Sequence, residues 1–449
     1  MSSQKNIFVC SECNYKSIKW IGCCPVCQAW DSFHEEAQEQ KEKFKNSSGK
    51  TKSINLVNLS TITTEPKKRM KSGIEEWDRV LGGGIMPGSL LILTGDPGIG
   101  KSTLLLQICD RLAQNHIVHY FSTEESLQQV NLRARRITGM QSKLLFSDNA
   151  DLESILEHAR NHKPDILIID SIQNCFSQES RYVQGSVNQL RDATFQLMRL
   201  AKDYEIAILM SGHITKDGMI AGPKTLEHMV DGVFYLQGED RWQTRILRSV
   251  KNRFGTINEI GFFEMRSSGL EEVCNINEHL VAEITHAPGS VLISFVEGSR
   301  PLLLELQALT IDSKLSIPQR VVSGVDQKQV VLIAAILEKY LHIKLSSQDI
   351  FFKVSGGFKI KDSSTDLGIA LALLSSYFQQ PLPQKSIALG EINLTGNIHP
   401  INQINLLIRE AEKFGIRQLL VAKNQKTDTT TCNVKHFSNV YELLSLFQE

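Results

Sequence analysis

Eight consecutive residues, Gly95, Asp96, Pro97, Gly98, Ile99, Gly100, Lys101 and Ser102, match the pattern G-x-x-x-x-G-K-[ST] at every defined position. They follow the apolar run SLLILTG and open a helical pattern over residues 103–112, the context in which this pattern cradles a triphosphate. Glycine is needed there because the loop must turn its backbone N–H groups inward around phosphate oxygens, and the helix start adds partial positive charge. Lys101 is expected to reach the β and γ phosphates of ATP, and Ser102 to hold Mg²⁺ through its hydroxyl, with Thr103 completing the set that lines the nucleotide. Asp170 ends the run DILIID, where a carboxylate would share the Mg²⁺ shell with Ser102. Glu124 and Glu125 follow the run HIVHYFST toward the same edge. Glu124 is the favoured base for polarising an attacking water; the alternative is that both acids serve only the dipole of the next helix.

A second chemistry sits near the start of the chain. Cys10-x2-Cys13 and Cys24-x2-Cys27 are separated by ten residues, and together they offer four thiolates, a closed tetrahedral set for a structural Zn²⁺. Trp20, Trp30 and Phe33 are expected to give this module a small apolar cover, since so short a segment cannot build its own core. Cys23 stands beside Cys24 as a fifth thiol.

These groups need elements to position them. Short apolar runs (SLLILTG, HIVHYFST, KLLFS, DILIIDS, IAILMSG) alternate with helix-length segments between residues 72 and 272, which predicts an α/β fold with a largely parallel sheet between two helical layers. The expected layout is a zinc module over residues 1–34, a polar linker over 35–66, the α/β domain over 67–275 and a third domain over 284–449. Of the 449 residues, 41% are apolar and 22% charged, an ordinary globular composition. Basic and acidic residues balance at 49 each, so any contact with nucleic acid must use local patches or a pore. Neither a signal-peptide run nor a transmembrane-length segment is visible, which sets the expectation of a cytoplasmic protein without membrane contact.

The flanks of the glycine loop narrow the reading. The segment SGIEEWDRVLGGGIMPGS at residues 72–89 resembles the entry segment of the RecA/DnaB/KaiC superfamily, and Lys251-Asn-Arg-Phe-Gly255 resembles the KNRFG motif of the bacterial RadA/Sms family. The resemblance runs the full length of the chain. It implies a RecA-like P-loop NTPase core with a parallel sheet, preceded by a zinc module and followed by an α+β domain similar to the Lon protease fold. It also implies a DNA-dependent ATPase of homologous recombination and repair, assembled as a homohexamer, driving branch migration on single-stranded and branched DNA with the RecA recombinase. Lys251 and Arg253 are then catalytic candidates. Two uses fit them: stabilising γ-phosphate charge across a subunit boundary, or gripping DNA phosphate. Gly255 is expected to allow a tight bend. The loop after IAILMSG, with His213, Lys216 and Lys224, corresponds to a channel-lining DNA loop in such folds.

In the third domain, Ser364 aligns with the nucleophile of Lon-like proteases, and Asn405 stands where their lysine base belongs. An amide cannot take a proton from a hydroxyl, so no peptidase activity is expected, and Ser364 reads as a helix N-cap or first-turn residue. Lys353, Lys359 and Lys361 are candidate DNA-facing charges. Two competitors remain: a KaiC-like regulatory ATPase that does not move DNA, and an ATP-dependent protease.

Overall fold

The computed structural model describes residues 7–11, 16–17, 19–27, 29–30, 32–36, 58, 68–137, 144–178, 182–213, 226–238, 244–282, 284–428 and 430–447. Contacts divide the chain into two compact units, Met1–Glu65 and Pro66–Glu449. The first unit carries three short antiparallel strands, β1 (Ile7–Cys10), β2 (Lys16–Ser17) and β3 (Phe33–Glu36), in the order β2-β1-β3. The expected aromatic cover does not form: Trp20 is 55% and Trp30 79% exposed, and Phe33 is only half-buried. Among the described side chains of this unit, the buried ones are Cys10 and Cys24, as befits a module built around a ligand cluster.

In the second unit a nine-stranded sheet contains β4 (Leu90–Gly95), β5 (Val118–Ser122), β6 (Leu145–Ser147), β7 (Ile166–Asp170), β8 (Ala207–His213), β9 (Gly232–Gly238), β10 (Thr244–Asn252), β11 (Ile260–Arg266) and β12 (Gly269–Glu272). Its order is β12-β11-β10-β9-β4-β8-β7-β5-β6. Strands β4 to β9 run parallel, while β10, β11 and β12 extend the sheet antiparallel.

Every residue of β4, β5 and β7 is buried, because side chains alternate between two covered faces. Leu91 and Leu93 join one core with Trp77 of α1 (Glu75–Val80), Leu105 of α2 (Lys101–Leu112) and Val130 of α3 (Leu127–Ala134). Leu90 and Ile92 join the other with Ile155 of α4 (Leu152–His162) and Leu197 of α5 (Val187–Tyr204).

The C-terminal lobe holds β13 (Ser290–Glu297), β14 (Arg300–Asp312), β15 (Arg320–Ser323), β16 (Gln348–Val354), β17 (Ser386–Leu389), the hairpin β18 (Glu391–Ile392) and β19 (Ile398–His399), β20 (Gln418–Ala422) and β21 (Asn433–Phe437). Apart from the hairpin these form a mixed sheet, β15-β16-β14-β13-β17-β20-β21. The helix Asp366–Phe378 is apolar nearly all round and is buried from Asp366 to Ser376 against this sheet. One core spans both lobes: Ile246, Ile260 and Phe262 of the first sheet pack with Ile276, Leu280, Leu304 and Leu306. Buried Glu76 locks the junction by accepting from the Phe262 N–H at 2.8 Å, from Arg79 at 2.8 Å and from Arg300 at 2.9 Å. Residues 276–282, which lie between the two expected domains, form a helix that contributes Ile276 and Leu280 to this shared core.

Candidate nucleotide site and cysteine cluster

The glycine loop leaves the end of β4, at the carboxyl edge of the parallel strands. A side chain is impossible at Gly95, where a Cβ would lie 2.2 Å from the Leu236 carbonyl oxygen. At Gly98 (φ +76°) nothing lies within 4 Å of the Cβ position, so the loop opens outward there. Gly100 caps α2 with φ 112°, and Lys101 begins the helix. The Lys101 ammonium is buried and donates to the carbonyls of Gly95 at 2.9 Å and Asp96 at 3.0 Å. Burial holds it below the usual lysine range, against the opposing attraction of Asp170, Glu124 and Asp96. From β10, Arg245 braces the loop by donating to the Ile99 carbonyl at 3.2 Å. A buried ammonium, a glycine loop and a helix start form a donor set that fits a polyphosphate.

Asp170 sits at the end of β7, between β5 and β8. Both neighbours grip it: the Tyr120 hydroxyl donates to Oδ2 at 2.6 Å, and the Ser211 hydroxyl donates to Oδ1. Burial and then the Asp170 charge push the Tyr120 phenol well above its ordinary value, so it stays a donor. The two glutamates part company. Glu124 accepts from the Ser171 hydroxyl, next to Asp170, whereas Glu125 pairs with Arg133 of α3. Tyr120 and Ser211 had no motif to flag them. Their one sequence signal is that Ser211, like Asp170, ends an apolar strand run.

Lys251 and Arg253 lie elsewhere. Lys251 pairs across β10 with Val233, which pairs with Ile92 of β4, whereas the loop leaves β4 at Gly95. Three residues of strand are about 10 Å, so these cations sit toward the other end of the sheet from their own glycine loop. Lys251 donates to the Glu227 carbonyl, and Arg253 lies 3.3 Å from Asp231. Asn252 donates to the Leu81 carbonyl at 3.1 Å, and Arg69 donates to that of Phe254. Gly255 lies in the expected bend, at residues 253–255, and also allows a close approach: a Cβ there would lie 3.1 Å from the Gly82 Cα.

In the first unit, the sulfurs of Cys10, Cys24 and Cys27 lie within 4.8 Å of one another, with Cys10 and Cys27 3.6 Å apart. A tetrahedral Zn²⁺ with bonds near 2.3 Å separates its sulfurs by about 3.8 Å, so the arrangement fits that ion. Cys13 lies outside the described residues, as do Lys216, Lys224 and the His213 side chain. Cys23 is half-buried, and its sulfur lies 3.9 Å from the Cys24 carbonyl oxygen.

Ser364 does not cap its helix. It lies in a short 3-10 turn, Ser363–Thr365, that leads into Asp366–Phe378, and its backbone N–H is taken by Asp362 at 2.9 Å. A carboxylate is the stronger acceptor and takes the capping role, leaving the Ser364 hydroxyl buried with no hydrogen-bond partner. Ser364 borders a cavity of about 340 Å³ with Asp362, Glu391, Asn402 and Gln403, and no lysine or histidine is among the described lining residues. Asn405 does not line it; its amide oxygen accepts from the Asp428 N–H at 2.9 Å. Lys359 and Lys361 are exposed, and Lys353 is half-buried.

Comparison with known proteins agrees region by region. An AAA domain family matches residues 59–219, the subunit ChlI of Mg-chelatase family residues 324–425, and a rubredoxin metal binding domain family residues 8–35. The chain is 43% identical over 425 residues to "DNA repair protein RadA" of Streptococcus pyogenes serotype M6, with 94% of each chain covered. It is 38% identical over 446 residues to that of Aquifex aeolicus, covering 99% of this chain and 100% of the relative. The chain belongs to the RadA family. The RadA relatives and the AAA match make it an ATP-hydrolysing protein of DNA repair, with a RecA-like core, a zinc ribbon and a ChlI/Lon-like C-terminal region. Among the described residues, no helix of this RadA chain is long and apolar enough to cross a membrane.

Proposed function

We propose that the chain is a DNA-stimulated motor that drives branch migration of recombination intermediates together with the RecA recombinase. It acts as a homohexamer on single-stranded and branched DNA. The observation that carries this reading is the convergence of Lys101, Asp170 and Glu124 at one edge of a parallel sheet in a RadA-family chain. The working layout is a zinc module over residues 1–34, a linker over 35–66, the ATPase over 67–275 and a C-terminal domain over 284–449 without peptidase activity.

In this scheme Gly95 to Thr103 line the nucleotide, and Ser102 and Asp170 are the groups that would hold Mg²⁺. When bound, that ion neutralises charge building up on the transferring phosphate. Tyr120 and Ser211 already donate to both Asp170 oxygens, which fixes the direction of the group. Lys101 exchanges the Gly95 and Asp96 carbonyls for phosphate oxygens. Glu124, steadied by Ser171, polarises the attacking water. Lys251 and Arg253 lie down the sheet from their own loop and are held by Glu227 and Asp231, which favours action on a neighbouring subunit's nucleotide or on DNA phosphates. Cys10, Cys13, Cys24 and Cys27 would hold Zn²⁺ in a closed structural set. The cavity at Ser364 supports the absence of peptidase activity, because no lysine, the base of Lon-like proteases, is among its described lining residues.

The test is branch migration of a recombination intermediate by purified protein, with and without ATP and RecA. Migration that needs ATP is the expected result. ATP turnover with no strand movement and no salt-dependent DNA binding would leave a KaiC-like regulator instead. Degradation of casein would restore the protease.

A further inference from the structure

Away from the nucleotide edge, three histidines gather on the opposite face of β5. Strand side chains alternate, so Tyr120 points toward Asp170 while His119 and Phe121 point toward α4. On α4, His158 and His162 stand four residues apart and share one helix face. The His158 Nε2 lies 3.2 Å from the His119 Nδ1. The His162 ring stacks on His158 with centroids 4.1 Å apart, and its centroid is 6.2 Å from that of His119. Phe121 stands edge-on to His158 at 5.7 Å and walls one side.

Three points of chemistry favour a cation here. Two imidazole nitrogens at 3.2 Å are spaced much as cis ligands of one ion, since metal–nitrogen bonds of about 2.0–2.1 Å at a tetrahedral angle put them about 3.3–3.4 Å apart. The Nδ1 of His162 lies 3.0 Å from the His158 carbonyl oxygen, which can only accept, so Nδ1 is the donor there and Nε2 is the nitrogen left to face a ligand. Release of that contact frees the exposed His162 ring to turn its Nε2 toward the other two nitrogens. Finally, α4 ends at His162, and the carbonyl end of a helix favours positive charge. Burial, then the neighbouring histidines, hold His119 and His158 below the usual histidine range, which keeps them in the neutral, ligating form. A hydrogen bond alone accounts for the His119–His158 contact; the third imidazole, exposed and stacked beside them, is what a chelate adds.

We propose that His119, His158 and His162 form a second metal site, distinct from the cysteine cluster, for a divalent transition ion of the imidazole-preferring class such as Zn²⁺. Rotation of the exposed His162 ring brings its Nε2 toward the other two nitrogens, and water completes the coordination. The ion would clamp β5, the strand that leads to Glu124, onto α4.

Calorimetric titration of Zn²⁺ into the full chain, with its cysteine cluster already zinc-loaded, tests this. One further equivalent should bind. His162→Ala, at an exposed position that leaves the fold intact, should weaken that equivalent at least tenfold, and His158→Gln should remove it. Circular dichroism checks that both variants keep the wild-type fold. The equivalent should survive Cys10→Ser. Absence of the extra equivalent in wild type, its persistence in both histidine variants, or its loss with the cysteine would each overturn the proposal.

Discussion

The helices Lys101–Leu112 and Asp366–Phe378 begin alike and arrive at different chemistry. Each start lies beside a buried polar side chain, Lys101 in the first and Ser364 just ahead of the second. Around Lys101 stand two carbonyls and the attractive charges of Asp170, Glu124 and Asp96. Around Ser364 stand two acids and two neutral amides, and its hydroxyl is left without a partner. A buried polar group becomes a reactive site only when groups of complementary charge are fixed around it, since an isolated one costs stability and activates nothing.

The comparison breaks first at Lys101. Lys101→Ala should lower ATP turnover by about 10²–10³-fold, the scale of losing a preorganised charge donor, while circular dichroism stays native. Turnover near wild type in that variant would remove the difference between the two helix starts. Glu76→Ala should cost roughly 3 kcal/mol in denaturant unfolding, because Arg300 and Arg79 lose their buried partner at the junction of the lobes. A change of a few tenths would mean that the lobes hold together by the shared core alone.

Tyr120→Phe should lower kcat about tenfold with little change in KM for ATP, reflecting the loss of one hydrogen bond to a charged group. A shift in Mg²⁺ dependence should accompany it, which a purely structural role would not produce. Ser364→Ala should leave ATPase activity unchanged and raise stability by up to about 1 kcal/mol, because it deletes a buried hydroxyl without a hydrogen-bond partner. A fluorophosphonate probe should leave wild-type Ser364 unlabelled; labelling would place a working base beside it and erase the contrast.

Much of the candidate site is legible in the amino-acid sequence. The glycine loop, the acid ending DILIID and the paired cysteine knuckles are local patterns whose chemistry travels with their spacing. Apolar alternation predicts the covered parallel sheet, and β4, β5 and β7 are buried at every residue as that pattern requires. Other parts are not legible there. Trp20 and Trp30 look like a cover because they are large and apolar, yet exposure is decided by what packs on them, and the thiol cluster needs nothing there. Asn405 matches a catalytic position because the segment before it, residues 390–400, resembles the strand and turn that lead to the lysine, but its side chain is engaged with the Asp428 backbone, outside the Ser364 cavity.

Local order in the chain gathers the donors of the glycine loop and the described thiols, because loop and knuckle bring near neighbours together within a few residues. Which distant residues stand beside them follows from the pairing of strands. The order β8-β7-β5 sets Ser211 and Tyr120 on either side of Asp170. The antiparallel return of β10 carries Lys251 toward the far end of the sheet. One turn separates Glu124, toward Ser171, from Glu125, toward Arg133. The reason is geometric: strand pairing joins residues separated by tens of positions, and no local periodicity encodes that order.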